Sequence, residues 1–280
     1  LEAIINAVKT ITSDDLAILT DSNLVMSNID MVLDMALTQS GLKELVTIPA
    51  GTDWNSELMN IANVLNTAAF NTLLYKDGKM DFTRLSNPEI LIEAIKTITN
   101  NDLAIFTDSN LIMTNVPGVL DMVLTQSGLK DVVTIPAGTD WNSELMRIVD
   151  VLNTAAFNLV AYKDGKFDLT GINNLGTIIE AVKTITSDDL AIFTDSKLIM
   201  SNIDSVLGMA LAQSGLEGLV TIPAGTDWNS ELMRIVNVLH TEAVNTLLYN
   251  AAGELTFEGI KNLEVIINAV KTITSDDLAI

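Results

Sequence analysis

The residues best placed to carry chemistry are Asp53-Trp54-Asn55-Ser56-Glu57, two carboxylates around a tryptophan. A glycosidase uses such a pair, one carboxyl as acid and the other as base or nucleophile, and a sugar site uses the ring. The same five residues also make a good helix start. An aspartate oxygen accepts an orphan backbone N–H, a glutamate in the first turn complements the helix dipole, and the indole anchors a core. A cap with a core anchor is the expected reading, ahead of glycan contact or catalysis.

The other acidic groups resolve the same way. Asp14-Asp15 follows Ser13 and becomes Asn101-Asp102 after Asn100, then Asp188-Asp189 after Ser187. An asparagine suits a helix start but cannot ligate as an anion. Asp21-Ser22-Asn23 and Asp77-Gly78-Lys79-Met80-Asp81 lack the spacing and terminal glutamate of a calcium loop. They are read as turns. His240 is the single histidine, with Asn66 and Asn153 at the matching positions, so it anchors no shared triad or zinc site. Cysteine is absent, and there is no Gly-rich phosphate loop or basic aromatic stripe. No catalytic, cofactor or metal residues are expected, and the chain is read as no enzyme.

What positions these residues is a repeat. The stretch Val46–Met59 recurs unchanged as Val133–Met146 and Val220–Met233, at intervals of 87 residues. Three units follow, 1–87, 88–174 and 175–262, with 263–280 opening a fourth. Leu1–Ile18 returns as Leu263–Ile280 with one change, Ala3 to Val265. The expectation is a window from a longer array.

Within a unit, Leu1, Ile4, Ile5, Val8 and Ile11 keep the spacing of an amphipathic helix, and Pro88 after Asn87 fits its first turn. Ser13, Asn100 and Ser187 are expected to cap a short second helix. Pro117, three residues after Thr114, places the start of the third at Ser27, Thr114 and Ser201, since proline breaks a helix interior. Val32, Leu33, Ala36 and Leu37 are its expected buried stripe. Gly41, Gly128 and Gly215 suit left-handed termini. Leu45–Ile48 is β-branched and stopped by Pro49, an expected extended segment. A long helix capped by Thr52 or Asp53 then runs from Trp54 to about Leu74. Met26, Met31, Met35 and Met59 sit at helical spacings and are expected to pack. Asp77-Gly78 marks a turn whose flanks could pair with Val46–Ile48 as a small ribbon. No Gly/Ser or Pro-rich spacer separates Phe82 from Ile90, nor Phe167 from Leu175, so the units are expected to dock end to end.

Fifteen basic against 36 acidic residues leave a net charge of −21. An acidic surface repels phosphate backbones and anionic lipid, which argues against nucleic-acid binding and membrane docking. A mean hydropathy of +0.36 supplies ample core, yet no apolar run is long enough to span a bilayer.

Asp195–Ile203, Val220–Pro223 and Trp228–Leu239 together resemble the tandem helical repeats of very large surface proteins in Gram-positive-related bacteria. The resemblance implies export and a cell-surface or extracellular setting, and carries no catalytic residue. The expected protein is mainly α, with helical repeats and short β segments stacked into an extended rod or superhelix. It serves as a surface stalk, fibre or filament segment whose partners are neighbouring repeats and further copies of itself. The alternative is a multivalent adhesive array for a glycan, a protein or calcium.

Overall fold

Threonine, rather than the serine or asparagine after it, starts the second helix of each sequence copy. In the computed structural model, which describes residues 2–218 and 220–279, Thr12 accepts the Asp15 N–H at 3.2 Å. The Asp15 carboxylate accepts the Thr12 N–H at 3.0 Å in return. Thr99 with Asp102 and Thr186 with Asp189 close the same reciprocal box. The cap expected at Ser13, Asn100 and Ser187 therefore lies one residue earlier. Only from there can the aspartate three residues on satisfy a second orphan donor. Leu1 of the first apolar stripe and Ile280 of the returning sequence lie outside the described residues.

The chain is mainly helical and divides into two units, up to Val149 and from Asp150. The first unit holds α1 (Glu2–Lys9), α2 (Ser13–Thr20), α3 (Asn23–Met26) and α4 (Ile29–Ser40). After them come α5 (Trp54–Leu65), α6 (Ala68–Leu74), the strands β1 (Tyr75–Lys76) and β2 (Lys79–Met80), and a 3-10 turn at Phe82–Ser86. Next are α7 (Pro88–Lys96), α8 (Asn100–Asp108), α9 (Asn110–Gln126) and α10 (Trp141–Asn153), whose last residues belong to the second unit.

Three expectations change here. The long helix is two, because Asn66-Thr67 interrupts it. Thr67 leaves the helical region and its buried hydroxyl accepts the Phe70 N–H, opening α6. Thr114 and Ser201 do not cap: α9 starts at the Ser109 cap and runs through Pro117. In the first copy the chain does break near the expected place, but at Asn28, which gives no side-chain cap. The ribbon pairs only with itself, Tyr75 opposite Met80, through a turn in which Asp77 and Gly78 both have positive φ. That is the geometry a two-residue hairpin requires. Val46–Ile48 joins no strand.

Other expectations hold. Gly41 sits at φ 72°, and the Leu42 N–H reaches back to the Leu37 carbonyl at 3.0 Å, a left-handed helix stop that a side chain would strain. Asp53 caps α5. Leu16, Trp54 and Leu58 are buried together against Ile11, Met26, Ile29 and Leu33. The Trp54 indole N–H donates to Asp30 at 2.7 Å, so the polar end of a buried ring is satisfied. Met26 and Met59 pack on this cluster, whereas Met31, Met35 and Val32 of the expected stripe are exposed.

The second unit has α11 (Ala155–Ala161), β3 (Tyr162–Lys163), β4 (Lys166–Phe167), a 3-10 turn at Leu169–Asn173 and α12 (Leu175–Lys183). It continues with α13 (Ser187–Asp195), α14 (Lys197–Gln213), α15 (Trp228–Leu239), α16 (Glu242–Leu248) and α17 (Leu263–Thr272). Its core matches that of the first unit. Leu190, Trp228 and Leu232 are buried together with Val236, packed by Ile185, Met200, Ile203 and Leu207. Trp228 donates to Asp204 at 2.8 Å.

Candidate functional site

Glu57 comes from the pentapeptide that could have been catalytic, and its destination defines the most distinctive site in the first unit. It lies on the first turn of α5 with only 3% of its surface exposed. Its carboxylate accepts the Ser109 hydroxyl and the backbone N–H groups of Asn110 at 3.1 Å and Leu111 at 3.2 Å. Those groups form the start of α9, which belongs to the second sequence copy. A buried carboxylate is tolerated when its lone pairs are filled, and a helix N-terminus supplies both donors and a favourable dipole.

Two amides widen this seam. Asn115, one turn into α9, accepts the Thr47 N–H at 2.7 Å and donates to the Thr47 carbonyl at 2.9 Å. That is why the Val46–Ile48 segment needs no strand partner. Asn60 donates to the Asp108 carbonyl at 2.9 Å. Apolar contact closes the rest: Val64, Ala69 and Phe106 are buried together, with Ile98, Ile105 and Ile112 against them. The Glu57 carboxylate and the Asn60 and Asn115 amides all join the first copy to the second.

The remaining candidates serve the backbone. The His240 ring nitrogen Nε2 lies 3.1 Å from the Lys183 carbonyl, and Asn66 meets the Lys9 carbonyl at 3.3 Å, so both close the end of the copy's first helix. Lys9 lies 4.6 Å over the Tyr75 ring, and Lys183 takes the same place over Tyr249. Tyr249 donates to Glu180; burial and then that carboxylate hold its phenol above the usual range. Asp15 closes the Thr12 box, Asp81 caps the 3-10 turn by accepting from Thr83, and Asp77 occupies the left-handed turn position. Asp14 sits exposed in the first turn of α2 and Asp21 closes that helix.

The sequence reading missed Ser109, Asn115 and Asn60 as seam residues. A signal for two of them was present: Ser22, Ser109 and Ser196, like Asn28, Asn115 and Asn202, keep one residue type through all three copies.

Among the described residues no three His, Asp or Glu side chains lie close enough to hold a metal ion, and no helix is long and apolar enough to cross a membrane. No protein-family model, no curated protein and no solved structure matches this chain.

Proposed function

We propose that the chain is a structural tandem-repeat protein, a segment of an extended stalk, fibre or filament at a bacterial surface or outside the cell, with no catalytic role. The observation that carries this reading is the seating of Glu57 on the start of α9. The first and second sequence copies meet through a buried carboxylate, a two-point amide clamp and an apolar patch. Units docked this way form a quasi-one-dimensional stack, in which each covers its neighbour's apolar end. The charge of −21 keeps separate stacks apart at distances within about one Debye length, ~8 Å at physiological salt.

Small-angle scattering on chains of increasing copy number tests it. The expected result is a maximum dimension that grows by a constant increment per copy while the cross-section stays fixed. Copies that tumble independently, or that fold back around a shared cleft, would sink the reading. The setting is tested separately, by locating the native material in fractionated cells.

A further inference from the structure

We propose that the seam between the first two copies and the backbone of α9 switch together. While the first copy grips its start, α9 is one continuous helix, and when that grip is released α9 breaks at Asn115. This goes beyond the stalk reading and holds whether or not the copies form a stalk.

One local sequence takes both forms in this chain. Met26-Ser27-Asn28-Ile29-Asp30 of the first copy recurs unchanged at 200–204 in the third. There the five residues lie inside α14, which runs unbroken from Lys197 to Gln213. In the first copy they hold the break between α3 and α4. Asn28 sits at φ −115°, well away from the ordinary helical value of about −63°. Its N–H reaches the Val25 carbonyl, three residues back, at 3.1 Å. Propensity therefore does not choose between the two forms, and the surroundings do.

What differs is the state of two side chains. Ser196 and Asn202 of the unbroken α14 are buried, whereas Ser22 and Asn28 are half-buried. In the second copy the contacts are on view. Glu57 seats on Ser109, Asn110 and Leu111. Asn115, which matches Asn28, takes both polar groups of Thr47 and also donates to the Leu111 carbonyl at 2.7 Å. So α9 is pinned at its start and again at the residue where the first copy breaks. The Asn28 amide, by contrast, bonds to Leu24 and Ser27 of its own copy, and among the described residues no carboxylate reaches Ser22.

The continuous form of α9 also goes against its own sequence. Pro117 matches Asp30, the second residue of α4. In the broken form a proline there falls in a first turn, where it fits. In the continuous form it lies in the interior, where it removes a backbone bond and clashes with the preceding turn. The grip holds the helix unbroken, and by linkage the unbroken helix holds the grip.

The test is NMR of the whole chain with and without Glu57→Ala, following the Cα shift of Asn115. Asn28 and Asn202 supply the values of the broken and continuous forms within the same molecule. The native Asn115 shift is expected to match that of Asn202, and in Glu57→Ala to move to that of Asn28. A shift that stays at the continuous value, while the Asn110 and Leu111 amide resonances show the grip lost, overturns the proposal. Pro117→Asp tests the coupling from the other end, with a substitution that adds a backbone bond instead of removing one. It favours the continuous helix and is expected to slow hydrogen exchange at the Asn110 and Leu111 amides by about fivefold or more, relative to the amides of α7. Exchange that changes there no more than in α7 also overturns the coupling. Neither measurement depends on the length of the particle, so the stalk reading stands or falls separately on scattering.

Discussion

Glu57 accepts a hydrogen bond from the hydroxyl of Ser109, a residue 52 positions downstream, and both side chains are almost wholly removed from solvent. The pair turns a residue of a helix's first turn into the fastener between two sequence copies. It also makes identical pentapeptides unequal, because Glu231 of the third copy has no such partner among the described residues and pairs with Arg234 at the surface.

That inequality predicts a contrast. Glu57→Ala leaves the buried Ser109 hydroxyl and two backbone N–H groups of the α9 start without their acceptor and should cost about 2–4 kcal/mol. Glu231→Ala removes an exposed ion pair and should cost less than about 1 kcal/mol. Urea unfolding of the two variants checks this, and equal costs would contradict the seam.

Trp54 and Trp228 each donate to an aspartate, and the second copy has Pro117 where the others have Asp30 and Asp204. Trp54→Ala is expected to cost roughly 3–5 kcal/mol by opening a cavity. Asp30→Ala, which removes a charge-assisted hydrogen bond, should cost about 1.5–3 kcal/mol. Pro117→Asp should stabilise by about 1–3 kcal/mol, since it restores a helix-interior N–H and offers Trp141 an acceptor. Thermal unfolding followed by tryptophan fluorescence reports all three.

At Gly171 an added Cβ would lie 2.4 Å from the Val160 carbonyl oxygen, so the 3-10 turn at Leu169–Asn173 approaches α11 too closely for any side chain. Gly171→Ala should destabilise by about 1–3 kcal/mol through forced backbone movement. The first copy carries Arg84 at this place, whose guanidinium donates to the Thr72 carbonyl at 2.8 Å. A neutral Gly171→Ala variant would mean that the second unit relaxes with ease.

Acid should weaken the caps. Hydrogen bonds from the hydroxyl and then the backbone N–H of Thr12, Thr83 and Thr170 hold Asp15, Asp81 and Asp168 below the usual carboxylate range. For Asp277 the Thr274 backbone N–H leads and the hydroxyl follows. A depressed folded pKa adds stability above the unfolded value, about 3.9, and that stability is lost as pH falls through the lower folded value. Asp15→Asn should therefore lower the thermal midpoint at neutral pH, and the difference from the native chain should close as pH falls below the unfolded value and through the lower folded one. A difference that persists in acid would show that the carboxylate charge is not what holds the cap.

The sequence by itself determined whatever depends on neighbours a few positions away. Helical content, the left-handed Gly41, the Asp53 cap and the Asp77-Gly78 turn all follow from local backbone chemistry, as does the 87-residue period from inspection. Even within that range single-residue preference points to Ser13, Asn100 and Ser187, one residue past the true caps, because the box needs two bonds at once and a preference shows only one. Pro117 misled for a related reason: a proline costs a helix one bond and a local clash, which α9 absorbs. Tertiary structure alone decided that Glu57 faces a second copy, that Asn115 takes both polar groups of Thr47 in place of a strand, and that Met31 and Leu24 stay exposed while Ile105 is covered. Those partners lie tens of residues apart, and packing, not propensity, sets which buried polar group finds which donor.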